Sequence, residues 1–213
     1  KRQGDQRWKG EEGGTGYSSP HYFEIGGIPQ VVLMNDKGAV SLVPENGSVL
    51  WEYTWPYTDR ILQPAQTADG DLVMSSGMGK GMCRLKVTHE QDKWNIEELM
   101  TSVQLKSSFN DFVIHNDIAF GYSGPFIECV DIVEGGRKWK SRRYGGQLML
   151  LADQNVLVVL TEKGEVALLS ATPEQFTELG RIPAIEGKTW NHPALAGDIL
   201  LVRNSREMVA FRL

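Results

Sequence analysis

Cys129-Val130-Asp131-Ile132-Val133-Glu134-Gly135-Gly136-Arg137-Lys138-Trp139 reads as a strand, a tight glycine turn and a second strand that opens on an aromatic. The same plan stands in Leu42-Val43-Pro44-Glu45-Asn46-Gly47-Ser48-Val49-Leu50-Trp51. In each, a glycine precedes the tryptophan by four residues. Trp8 and Trp94 extend the series, giving spacings of 43, 43 and 45 residues along Trp8, Trp51, Trp94 and Trp139. Gly4 keeps the glycine ahead of Trp8, whereas Glu90 replaces it ahead of Trp94, and Phe176 stands where a further tryptophan would fall. A period of this length marks a stack of repeated supersecondary units.

A second marker runs in step with the first. Polar turns at Asp69-Gly70-Asp71, Asn116-Asp117, Asp153-Gln154-Asn155 and Gly197-Asp198 each precede a short apolar run. Those runs are Leu72–Met74, Ile118–Phe120, Val156–Leu160 and Ile199–Val202, and Gly26-Gly27 before Val31–Met34 is a looser copy. Runs this short between turn residues are buried strands. No segment of a dozen residues carries a helical stripe.

Each repeat holds about four strands, which predicts an all-β chain, a β-propeller of four-stranded antiparallel blades in a single domain, 1–213. The blades are expected over 18–55, 62–99, 109–143, 147–182 and 192–213, the last with three strands. Residues 5–10, around Trp8, are expected as an orphan outer strand. Either that strand completes the last blade of a five-bladed ring, or the chain is part of a larger seven- or eight-bladed one. The second is expected, because known relatives are larger.

Composition excludes little. The net charge of −5 argues against a nucleic-acid binder, which is usually basic. No apolar run approaches the roughly 18 residues of a membrane-spanning helix. Cys83 and Cys129 belong to no metal or redox motif and read as small buried residues. Gly77-Met78-Gly79-Lys80-Gly81 lacks the Ser or Thr of a phosphate loop and reads as a hairpin turn. His89-Glu90 is followed by Lys93 where a zinc protease needs its second histidine.

The strand, glycine turn and tryptophan of Asp131…Gly135…Trp139 and Gly47…Trp51 are similar to the tryptophan-docking repeat of PQQ-like, quinoprotein-type propellers. Gly16-Tyr17-Ser18-Ser19-Pro20 and the ending Leu201-Val202-Arg203-Asn204 with Val209-Ala210-Phe211 resemble that family too. Neither a recurring Trp-Asp dipeptide nor a regular double glycine points to another propeller family. The resemblance implies that Trp8, Trp51, Trp94 and Trp139 are scaffold, packed between blades. It leans toward the propeller lipoprotein of outer-membrane protein assembly, and so toward a bacterial, periplasmic setting. The quinone-dependent dehydrogenases have adjacent cysteines, a haem motif or a marked base, none of which stands out here. No cofactor is therefore predicted; PQQ with calcium, in an oxidoreductase or a fragment of one, is the alternative.

The resemblance places ligands on the channel face, at the loops that lead into each first strand or join the second to the third. Those loops supply Arg60, Asn110, Arg142, Arg143, Gln147, Trp190, Asn191, His192 and Arg203, with Tyr17, Lys80, Lys106, Tyr122 and Lys163 beside them. The set is rich in cations, so a protein segment or a small anionic ligand is the expected partner, bound without catalysis. Trp190-Asn191-His192-Pro193 joins an aromatic, an amide and an imidazole in one such loop.

Overall fold

A computed structural model describes residues 4–10, 16–55, 61–77 and 79–213. The chain divides into two compact units, Lys1–Val103 and Gln104–Leu213. Both are built from antiparallel sheets whose strands follow one another in sequence order.

In the first unit, β1 (His21–Ile25), β2 (Ile28–Met34), β3 (Gly38–Leu42) and β4 (Val49–Thr54) form one sheet. A second comprises β5 (Ala65–Gln66), β6 (Leu72–Ser76), β7 (Gly81–Glu90) and β8 (Lys93–Ser102). The first strand of that sheet has only two residues. Pro64 just before it has no N–H to give a ladder, and Thr67 already turns the chain toward Asp71. The Gly77–Lys80 turn joins β6 to β7, although Met78 lies outside the described residues. Between the two sheets Val32, Trp51, Trp55, Leu72, Met74, Cys83 and Leu85 form one buried cluster.

The second unit begins with β9 (Phe112–His115), β10 (Ile118–Ser123), β11 (Phe126–Asp131) and β12 (Arg137–Arg143). Its next sheet is β13 (Gly146–Leu151), β14 (Val156–Thr161), β15 (Glu165–Ser170) and β16 (Glu178–Pro183). A three-stranded sheet of β17 (Ala194–Ala196), β18 (Ile199–Arg203) and β19 (Met208–Arg212) follows. The apolar runs noted in the sequence are the second strands, β2, β6, β10, β14 and β18. β6 and β10 are buried almost throughout.

All four complete sheets carry a register shift between their third and fourth strands, at Ser41/Leu42, Arg84/Leu85, Cys129/Val130 and Leu168/Leu169. Such a bulge increases the local twist, which suits an outer strand splaying from its neighbour. The two stretches that resemble each other in sequence also close the same turn. Val43 N–H donates to the Ser48 carbonyl and Gly47 N–H to Val43; Asp131 N–H donates to Gly136 and Gly135 N–H to Asp131. Gly47 and Gly135 take φ of +73° and +74°, where a side chain is strained.

The repeat tryptophans make contacts of three different kinds. Trp139 donates its indole N–H to the Thr172 carbonyl of the next sheet at 2.7 Å, with Phe120 and Phe176 against its ring. Trp8 does the same to Pro44 at 2.8 Å. Residues 5–10 nonetheless form no strand, contrary to expectation; only their tryptophan takes the outer-strand place, lying on Gly47 where a Cβ would come within 2.4 Å of the ring. Trp51 instead donates within its own sheet, to Gln30 Oε1 at 2.7 Å. Trp94 is half-buried and stacks on its cross-strand partner His89 at 4.6 Å.

Candidate functional site

The site in the second unit starts from the end of the sheets at which the first strands begin. Gly146 opens β13 with φ +140°, and a Cβ there would lie 2.1 Å from the Leu160 carbonyl oxygen. Glycine lets β13 close on β14 and sets the next residue, Gln147, into the interior at 5% exposure. Gln147 Nε2 then donates to the carbonyls of Phe109 at 3.1 Å and Trp190 at 3.3 Å. One amide therefore ties together the loops that lead into β9 and β17. Asn110 Nδ2 donates to the Gly146 carbonyl, closing the set.

Thr189 fixes the far side. Its N–H donates to the Glu162 carbonyl at 3.2 Å, and its Oγ1 donates to the Arg203 carbonyl at 2.6 Å and accepts from Asn191 N–H at 3.2 Å. These bonds leave a cavity of about 550 Å³ lined by Phe109, Asn110, Gln147, Glu162 and Trp190. Phe109 and Trp190 are 69% and 67% exposed, unusual for rings of that size. The Lys188 ammonium lies 4.4 Å from the Trp190 ring centroid and 3.7 Å from Glu162 Oε2.

Among the described residues, two buried side-chain oxygens have no hydrogen-bond partner, Gln147 Oε1 and the Tyr122 hydroxyl. Each unmet group of this kind costs about 1–3 kcal/mol. Burial, with the charges of Tyr144 and Glu162 nearby, pushes the Tyr122 phenol far above its ordinary range, so it stays a neutral donor.

The structure thus gathers Asn110, Gln147 and Trp190 of the expected residues. Asn191 contributes its backbone N–H and Arg203 its backbone carbonyl, while the Arg203 side chain is exposed. His192 stands 3.4 Å from Asp111. Arg60 lies outside the described residues. Arg142 is not a loop cation: it sits on β12 and pairs with Glu178 of β16 at 2.8 Å. Arg143 is exposed at the end of the same strand. The cationic lining expected from these arginines does not assemble; among the described residues the cavity's lining holds no arginine, and its charged member is Glu162. Phe109 and Glu162 escaped the sequence reading. Glu162 precedes Lys163 in the turn joining β14 to β15, a turn already assigned to this face, so its position was available.

Outside the cavity, Glu178 collects Arg181, Tyr144 and Arg142. Hydrogen bonding to Arg181, then to Tyr144 and Arg142, outweighs burial and holds its carboxyl down at about 2. Cys83 and Cys129 are buried and unpaired, and burial pushes both thiols up to about 12, which leaves them unreactive near neutrality.

The calcium that the resemblance would bring does not find a ligand set in this lining. Calcium takes roughly six to eight oxygen ligands, and the side chains of the lining offer the Glu162 carboxylate, already beside Lys188, and the amide oxygens of Asn110 and Gln147. Among the described residues no cluster of three His, Cys, Asp or Glu side chains could hold a metal ion, and no helix is long and apolar enough to cross a membrane.

No protein-family model matches the chain, and no curated protein matches it in sequence. Solved structures do match. BamB from Moraxella catarrhalis is 12% identical with a TM-score of 0.55, over 96% of this chain and 74% of that one. Sqt1 of Saccharomyces cerevisiae is 13% identical with a TM-score of 0.63, over 86% of this chain and 57% of that one. With the bulged four-stranded antiparallel sheets in sequence order, these likenesses define the class: the chain has a β-propeller fold, and its sheets are blades. At such identities the likeness concerns the fold alone.

Proposed function

We propose that the protein is a non-catalytic binding scaffold of the PQQ-like branch of propellers, and that it takes an extended protein segment at the 550 Å³ cavity. The branch is supported by the docking of Trp139 on Thr172 and of Trp8 on Pro44. Binding is carried by one observation. Phe109 and Trp190 stand exposed on either side of a buried glutamine that locks both of their loops in place. Rigid aromatic anchors over a preorganised base are what protein interfaces use for most of their energy.

Selection from a displayed library of random nine-residue peptides tests this reading. Enriched peptides should bind the purified chain and lose about tenfold or more in affinity with Phe109→Ala or Trp190→Ala, the range of an interfacial anchor. No enrichment, or binders indifferent to both changes, would count against it.

A further inference from the structure

We infer that the ligand of this cavity is cationic: an ammonium or guanidinium carried on the partner's extended segment, for which Lys188 competes at Trp190 and Glu162 in the free protein. The inference rests on the binding reading above and names the chemistry of what is bound.

Three of the four side-chain amide N–H groups of the lining are already engaged. Asn110 gives its NH₂ to the Gly146 carbonyl, and Gln147 gives its NH₂ to the carbonyls of Phe109 and Trp190. Those carbonyls can only accept, so the nitrogen ends of both amides are fixed, and what remains is both oxygen ends and one N–H of Asn110. Gln147 Oε1 is buried with no donor. Glu162 adds a carboxylate. Around these acceptors stand the rings of Phe109 and Trp190, whose faces attract cations.

The molecule shows the preference itself, because Lys188 lies over Trp190 and beside Glu162. Its side chain is 59% exposed, so the contact is weak and easily displaced. Lys163 and Lys188 both line a neighbouring cleft with Glu162 and Gly187, and of the two it is Lys188 that reaches the cavity's Trp190 and Glu162 from that side. An anion would meet a carboxylate and acceptor oxygens.

The test uses three pentapeptides, Gly-Gly-X-Gly-Gly, N-acetylated and C-amidated so that X alone carries charge, with arginine, citrulline or glutamate at X. Binding to the whole chain is followed by the indole N–H resonance of Trp190, assigned with Trp190→Phe. The arginine peptide should bind about tenfold tighter than the citrulline peptide, and Glu162→Gln should bring that ratio to within about twofold, as a partly desolvated charge contact requires. Lys188→Ala should tighten the arginine peptide by about threefold or more, since the competing cation is gone. A thermal melt shows that each variant is folded.

Equal binding of arginine and citrulline, tighter binding of glutamate, or weaker arginine binding in Lys188→Ala would overturn the cationic assignment. The first two of these outcomes would leave the scaffold reading standing, because the cavity would still bind a peptide. No perturbation of Trp190 by any of the three, together with a failed library selection, would overturn both.

Discussion

Trp139 and Trp51 hold the same place in their repeats, four residues after a left-handed glycine, yet their indoles do different work. Trp139 reaches out and caps a carbonyl of the next sheet. Trp51 turns inward and bonds the buried Gln30, which also accepts from Ser41 at 2.7 Å. The receiving turn explains the difference. After Trp139, the next sheet joins β15 to β16 through a long turn that presents Thr172. After Trp51, the next sheet joins β7 to β8 through Gln91 and Asp92 alone, both left-handed, and pairing runs through to Glu90 and Lys93. No multi-residue turn offers a carbonyl there, so a glutamine supplies the acceptor from within. The repeat thus marks where a tryptophan sits, and the neighbour decides what it bonds.

That contrast can be broken most sharply at Trp139 itself. Trp139→Ala should cost about 3–5 kcal/mol by urea denaturation, because it empties an aromatic cluster shared by two sheets. A loss under about 1 kcal/mol would mean that docking contributes little. In the other unit, Gln30→Leu should cost about 2–3 kcal/mol by leaving the Trp51 N–H and Ser41 hydroxyl buried without an acceptor. A neutral outcome would show that water replaces the amide and that Trp51 needs no dedicated partner.

The smallest effect concerns the polar bridge between β12 and β16. The Glu178 carboxyl is held at about 2, below its ordinary 4.5. A depressed carboxylate contributes stability above its unfolded value, so this contribution is complete above about pH 5 and is lost as pH falls toward 2. For a solvent-screened cluster the loss should be on the order of 1 kcal/mol, and Glu178→Gln should flatten that part of the melting profile. An unchanged profile would remove Glu178 from the account.

The repeat was legible because its period, its glycines and its apolar second strands are local features of sequence. Gln147 and Trp190 were legible for the same reason, since they flank predictable strand starts. Arg142 and Arg143 misled as loop residues. Trp139 and Ser141 face inward on β12, so Lys140 and Arg142 must alternate outward, and that period of two continues the strand to its end. Gln30 could not be found, because its partners Ser41 and Trp51 are brought to it only by pairing across the sheet. Glu162 had a place but no visible role until the loop carrying Lys188 and Trp190 was seen against it.

The central claim is that partner segments bind at this end of the second unit. Hydrogen exchange of the whole chain, with and without a library-selected peptide, measures that directly. Protection confined to residues 108–111, 145–147, 161–164 and 187–193 is the expected result. Protection elsewhere, with these loops exchanging as in the free protein, would contradict it.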